Sequence, residues 1–317
     1  MTEQPRTGAW PIVDFHVHIR PPWWQFSPLP GASAADLAWQ ASWVAKLTDP
    51  QRLVGESDAA GVTLNLLSST VEGISGISGP ADQDEIRRHN DYLAELVAAH
   101  PGKLAALATV DAFSGEAGAR EAERAVEELG HVGIVIDSAR DDAFAGSSAT
   151  WPVFEAADRL GVPILVHPVA APNAAALTRS AGRPGNSFGR GHVNGTAFLT
   201  ILENGIPDRH PDLDVVFTGI GIGALAIAAA EVPAYGFARR QAGGSRPGLL
   251  ALAVLGPELV LVVSDWPIWE PVSAQKLTEV FDAAAVAETY RALIASGNAL
   301  RVLGRRRSDA TAFRLAG

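Results

Sequence analysis

Ile12-Val-Asp-Phe-His-Val-His-Ile19 is a run of apolar and β-branched residues, introduced by Pro11 and closed by Arg20-Pro21-Pro22. That pattern predicts a buried strand. Successive strand side chains point to opposite faces, so Asp14, His16 and His18 are expected on one face and Val13, Phe15 and Val17 on the other. At about 3.3 Å of rise per residue, the two histidines stand roughly 6.5 Å apart at their Cα atoms. Both rings can then converge on one cation. Asp14 lies deeper on the same face, where a supporting role suits it better than ligation.

Working outward, 317 residues with 47% hydrophobic content suffice for a large core. We expect one domain over residues 1–317. A net charge of −10 argues against a nucleic-acid partner, because phosphate binding needs basic patches. No cysteine is present, which excludes disulfides, thiolate nucleophiles and Cys-ligated zinc. Any metal must be held by His and carboxylates. Residues 1–10 lack the apolar core of a signal peptide. The apolar runs 220–230 and 249–263 are too short, or too interrupted by Gly256, Pro257 and Glu258, to span a membrane. A soluble, cytoplasmic protein is expected.

The aromatic, proline-rich segment 21–30 follows the first strand and carries Trp23, Trp24 and Phe26. It reads either as an active-site wall or as a plug at a barrel end. Helical patterns are expected over 33–60, 82–100, 116–129 and 151–160, and over 198–206 at the close of a further helix. Strands are expected at 62–67, 104–110, 132–137, 162–167, 213–218 and, as the eighth, 259–264. This alternation predicts a parallel sheet, and the length suits an α/β (β/α)8 TIM-type barrel. Strand seven is the weak point: Tyr235 to Ala238 is a poor candidate, so the barrel is expected to be distorted there.

Polar residues end several of these strands. His16 and His18 end the first, His167 ends the fifth and Asp265 follows the eighth. In a parallel barrel these ends share one face, where such enzymes build their active sites. Three His and one Asp supply a site for one divalent ion, Zn²⁺ foremost, with a position left for water or substrate. Such an ion polarises a substrate oxygen or acidifies water. Asp265 could serve there as ligand, as general base, or as both.

Five pieces carry a family resemblance: Asp14-Phe-His-Val-His18, Asn90-Asp-Tyr-Leu-Ala-Glu-Leu-Val-Ala-Ala-His-Pro101, Pro163-Ile-Leu-Val-His-Pro168, Asp208-Arg-His-Pro-Asp-Leu-Asp-Val-Val-Phe-Thr218 and Ser264-Asp-Trp-Pro267. In this order they resemble the amidohydrolase-2 branch of the amidohydrolase superfamily, with its aminocarboxymuconate-semialdehyde and γ-resorcylate decarboxylases. The resemblance implies that His16, His18, His167 and Asp265 are the metal ligands. It also implies a small-molecule substrate and a homodimer.

One departure stands out. The resemblance implies a His in a His-Gly-Gly-Gly-like turn at the end of strand six, where this chain has Thr218-Gly-Ile-Gly-Ile-Gly-Ala224. The best substitute is His192, expected in the loop 169–191 or just beyond it and near the metal. The alternative for it is a solvated position at a helix entry. Arg183 and Arg190 lie in or beside the same loop and suit recognition of a substrate carboxylate. Trp266 follows Asp265 and can wall the pocket or pack in the core. His89, His100, His131 and His210 read as structural. The glycines of 219–224 match a dinucleotide fingerprint only formally, since no first strand precedes them and no acidic residue ends a second. They suit close backbone approach instead.

The expected function is therefore that of a metal-dependent enzyme acting on a small carboxylated or conjugated substrate, by non-oxidative decarboxylation or hydrolysis. Asp265 and His192 are the candidate catalytic groups, and Arg183, Arg190 and Trp266 the candidate substrate contacts. The alternative is a barrel that has lost catalysis, with the strand-six His, and now binds a small molecule or partner.

Overall fold

The computed structural model describes residues 10–26, 34–75, 81–221, 223–224 and 256–304. Six parallel strands form one sheet in chain order: β1 (Ile12–Val17), β2 (Val62–Leu67), β3 (Leu104–Thr109), β4 (Gly133–Asp137), β5 (Ile164–His167) and β6 (Val215–Phe217). Beyond Gly256 the chain returns to β1, where strand eight was expected. Phe15 N–H donates to Val262 O at 2.9 Å, Asp265 N–H to His16 O at 3.2 Å, and His18 N–H to Trp266 O at 2.7 Å. The sheet thus curls until β1 has a neighbour on each side, the arrangement of a (β/α) barrel. Tyr235 to Ala238, the poor candidate for strand seven, lies outside the described residues.

Two concentric cores follow from strand alternation. Val13, Phe15, Leu64, Leu66, Leu107, Val135, Leu165, Val216, Leu261 and Val263 pack together inside the barrel. Ile134, Ile136, Ile164, Val166, Val215 and Phe217 face outward, against helices α4 (Glu116–Glu127), α5 (Trp151–Leu160) and α6 (Gly182–Glu203).

The first strand breaks the expected alternation. Its pairing with β2 shifts between Asp14 and Val17, as at a β-bulge. Val13 and Phe15 point into the barrel, yet Val17 and Ile19 pack outward with Leu53, Leu67 and Leu93. Asp14 therefore shares the outer side with Ile12, which packs against Leu277 and Phe281, and does not stand beneath the histidines. Its Oδ1 instead accepts from Ser264 N–H at 3.0 Å. The bulge turns His16 and His18 to the barrel mouth.

Two helical expectations also change. The stretch 33–60 is two helices, α1 (Ala34–Val44) and α2 (Pro50–Ala60), parted by a tight turn at Ala45–Thr48. Asp49-Pro50 forces this break, because the residue before a proline avoids helical geometry. Asp49 then caps α2 through Arg52 N–H at 2.9 Å. The loop expected over 169–191 is mostly helical, with a short helix Pro172–Thr178 before α6. Its glycines read as loop but answer a packing need. A Cβ at Gly185 would lie 2.1 Å from Thr178 O, and one at Gly195 would lie 2.7 Å from Ala224 Cβ.

Candidate metal centre

His16, His18, His167 and Asp265 meet at the C-terminal ends of the strands, with one ligand atom from each lying within 4.8 Å of the others. The ring centroids of His16 and His18 are 4.4 Å apart, and that of His167 is 4.8 Å from the first and 5.2 Å from the second. Asp265 Oδ1 stands 3.2 Å from His16 Nε2 and 3.1 Å from His18 Nε2. Asp265 holds φ at 60°, in the left-handed region, which costs energy for a non-glycine residue and recurs at functional sites.

The protonation states suit a cation. Burial, with help from the neighbouring His16, lowers the His18 pKa to about 4. Burial and the other two rings hold His167 well below the ordinary value. Both imidazoles thus offer a lone pair at neutral pH. Burial pushes Asp265 up, but hydrogen bonds from His16 and His18 outweigh it and hold the carboxyl far below the usual range. Two neutral donors, a third ring whose buried Nε2 faces the same carboxylate oxygen, and one ionised oxygen fit a divalent ion of Zn²⁺ or Mn²⁺ type.

A second ring of polar groups surrounds the four, and only part of it was read from the sequence. Ser68, just past β2, places Oγ 2.5 Å from His16 Nδ1. Asp137 ends β4 level with His167, and its Oδ2 accepts from Glu72 N–H at 2.7 Å. Burial raises the Asp137 pKa to about 7, with Glu72 adding to the effect. Arg140 lies 3.6 Å from Asp111 and 3.7 Å from Asp137. Asp137 could have been found by the rule that found His167, a polar residue ending a strand. Ser68 begins a polar run, Ser68-Ser69-Thr70, directly after a strand.

The other expected site residues fall differently. Arg190 is at the site but committed: Nη1 and Nη2 bind the two oxygens of Glu72 at 3.1 and 2.8 Å, and Nη2 also donates to Pro168 O at 2.5 Å. Arg183 is exposed and lies over the Trp39 ring, 5.5 Å from its centroid. Trp266 is fully buried among Val17, Leu53, Leu67 and Leu93, and its Nε1–H donates to Glu56 at 2.8 Å. Fully buried, it packs in the outer core with these apolar side chains and presents no surface to a substrate. His192 sits within α6, exposed and outside the four-residue cluster, and not in a loop.

At the end of β6, Thr218 is buried, and its Oγ1 has no hydrogen-bond partner among the described residues. Its carbonyl accepts from Asn194 Nδ2. The following glycines let the turn touch α6, with Gly221 N–H donating to Gly191 O at 3.2 Å. His89 and His131 are buried away from the four ligands, and His210 pairs with Asp158 at 2.9 Å. No helix among the described residues is long and apolar enough to cross a membrane.

A family pattern described as amidohydrolase matches residues 13–305. The γ-resorcylate decarboxylase of Polaromonas sp. is 26% identical over 287 residues, covering 80% of this chain and 87% of that protein. The γ-resorcylate decarboxylase of Rhodococcus jostii is 28% identical over 294 residues, covering 80% and 88%. Among solved structures, 5-carboxyvanillate decarboxylase from Sphingomonas paucimobilis superposes with a TM-score of 0.74 at 25% identity, covering 93% of this chain and 99% of its own. A dihydroxybenzoic acid decarboxylase from Polaromonas sp., crystallised with manganese and the inhibitor 2-nitroresorcinol, gives 0.72 at 23% identity over 94% and 98%.

Proposed function

Because the chain belongs to the amidohydrolase family, whose pattern it matches from residue 13 to residue 305, we propose that it is a metal-dependent decarboxylase of small aromatic carboxylates. The observation that carries this reading is the convergence of His16, His18, His167 and Asp265 at the barrel mouth. The curated relatives reported above are carboxy-lyases acting on hydroxylated benzoates, which supports the substrate class.

His16, His18, His167 and Asp265 would hold one divalent ion, which supplies Lewis-acid polarisation of a substrate oxygen. The three imidazoles suit Zn²⁺, and Mn²⁺ bound in a similar enzyme makes it the second ion to load. The chain's own residues must move one proton. As the bond from ring to carboxylate breaks, its electron pair stays on the ring carbon, CO₂ leaves, and a proton replaces it at that carbon. Asp265 is the group placed to carry that proton, being the ligand whose carboxylate is partly exposed. His192, on α6 beside the turn that follows β6, is the second candidate. Arg190 acts by holding Glu72 and the Pro168 carbonyl next to His167.

Thr218 in place of a histidine favours a second reading, hydrolysis, because no imidazole from β6 reaches the site. The deciding experiment loads the purified protein with Zn²⁺ or Mn²⁺ and measures CO₂ release from hydroxybenzoates, with lactones and amides as the alternative panel. Release that vanishes in Asp265→Asn supports the decarboxylase; turnover of lactones or amides alone replaces it with the hydrolase. Loss of 10²- to 10⁴-fold in His192→Ala would assign proton transfer to His192. A homodimer is the assembly to test, by light scattering.

A further inference from the structure

Glu56 lies on α2, an element that carries none of the four ligands, yet its carboxylate collects three donors. Oε1 accepts from Arg52 Nε at 2.7 Å, and Oε2 accepts from Lys46 Nζ at 3.1 Å and from the Trp266 indole Nε1–H at 2.8 Å. Burial pushes the Glu56 carboxyl up, but the hydrogen bonds from Arg52, Trp266 and Lys46 outweigh it and hold it below its ordinary value. With an ionised acceptor, the indole bond is charge-assisted. Lys46 is itself buried to 7% exposure, where a cation needs the partner that Glu56 supplies.

The indole is a telling place to anchor. Trp266 follows Asp265 directly, and its backbone serves both halves of the metal centre. Its carbonyl accepts from His18 N–H at 2.7 Å, its N–H donates to Ser264 Oγ at 3.1 Å, and it bridges to Val17. Asp265 holds its left-handed φ of 60° immediately before it, a conformation that persists only where the surroundings over-determine it. The side chains of Val17, Leu53, Leu67 and Leu93 fill the space around the ring but offer its N–H no acceptor. Glu56 offers one. The turn at Ala45–Thr48 closes the bracket: Lys46 holds Glu56, and Leu47 O accepts from Arg20 N–H at 2.6 Å where the chain leaves β1. Both ligand-bearing segments are thus clamped from one point outside the barrel.

We propose that Glu56 is a positioning residue for the metal centre: through the Trp266 indole it fixes the backbone from which Asp265 projects beside His18. This rests on the reading of His16, His18, His167 and Asp265 as metal ligands. Glu56 acts on the ion only through Trp266.

The test follows Co²⁺ binding to the full-length protein by competitive chelator titration and by the visible spectrum of the bound ion, which reports ligand geometry. Glu56→Ala should weaken Co²⁺ binding about tenfold, the lower end of what outer partners of a ligand contribute, and shift the spectrum. Glu56→Gln, which keeps an oxygen for the indole, should recover most of the affinity. Trp266→Phe, with a ring but no N–H, should lose as much as Glu56→Ala, and the double variant no more than either alone. A Glu56→Ala protein that unfolds earlier in urea but binds Co²⁺ with wild-type affinity and spectrum would make Glu56 a packing residue and overturn the proposal. An additive loss in the double variant, or a Glu56→Gln protein as weak as Glu56→Ala, would overturn it too. Should Glu56→Ala fail to fold, Trp266→Phe decides alone, and unchanged Co²⁺ affinity there refutes the role of Glu56. If the wild type binds no Co²⁺, the metal-centre reading itself falls and takes this proposal with it.

Discussion

The Ser68 hydroxyl sits 2.5 Å from His16 Nδ1, on the side of the ring opposite the nitrogen that faces Asp265. A ligand imidazole whose far nitrogen is engaged is fixed in both rotation and tautomer. Ser68→Ala is expected to lower the affinity for Zn²⁺ or Mn²⁺ by about 10- to 100-fold, with the circular dichroism spectrum unchanged. A competitive chelator titration measures it. Unaltered affinity would show that the ring needs no such support.

Removing a ligand should act more bluntly. Purified wild type should carry about one equivalent of divalent metal, as a four-residue N/O site implies, and His16→Ala and Asp265→Asn should carry little. Elemental analysis after dialysis provides the readout. Metal retained by both variants would place the ion elsewhere.

Asn90 ties α3 (Gln83–Ala99) to the end of β3. Its Oδ1 accepts from Thr109 N–H at 2.8 Å, while Nδ2 donates to Thr109 O at 3.0 Å and to Glu121 at 2.7 Å. Asn90→Ala leaves a buried backbone N–H, a carbonyl and a carboxylate short of a partner. The expected cost is about 2–4 kcal/mol, read as a lower midpoint in urea. A change below about 0.5 kcal/mol would mean that water replaces the amide fully.

Acid should weaken the fold through buried histidines. Burial, with Arg124 adding to it, lowers His131 to about 4, whereas an unfolded chain titrates near 6.5. Above pH 6.5 both states are neutral and nothing is lost. As pH falls from 6.5 towards 4 the unfolded state takes up a proton that the folded state refuses, removing up to about 3 kcal/mol. His131→Gln should flatten this part of the profile. Tm followed from pH 7.5 to 4.5 in the presence of chelator tests it, and identical slopes in the two proteins would contradict the assignment.

Much of this was legible in the sequence, for definite reasons. The strands of the sheet are β-branched runs bounded by breakers, and His167 and Asp265 ended theirs visibly. What escaped depended on tertiary contact. The glycines of α6 look like loop residues until Thr178 and Ala224 are seen against them. Trp266 looks like a pocket wall until Val17, Leu53, Leu67 and Leu93 are seen around it. Arg190 looks free for a substrate because its partner, Glu72, lies 118 positions earlier in the chain. Glu56 showed nothing in the sequence, since its indole partner lies 210 positions later in the chain.

The shift in β1 between Asp14 and Val17 makes two short strands in opposite phase out of one. The leading half belongs to the barrel's interior and the trailing half to its chemistry, and neither dictates the other's orientation. Were the alternation of Ile12 and Asp14 to run on unbroken, His16 and His18 would face the helices with them. The same composition, one position out of step, would then fold a barrel with no place for an ion.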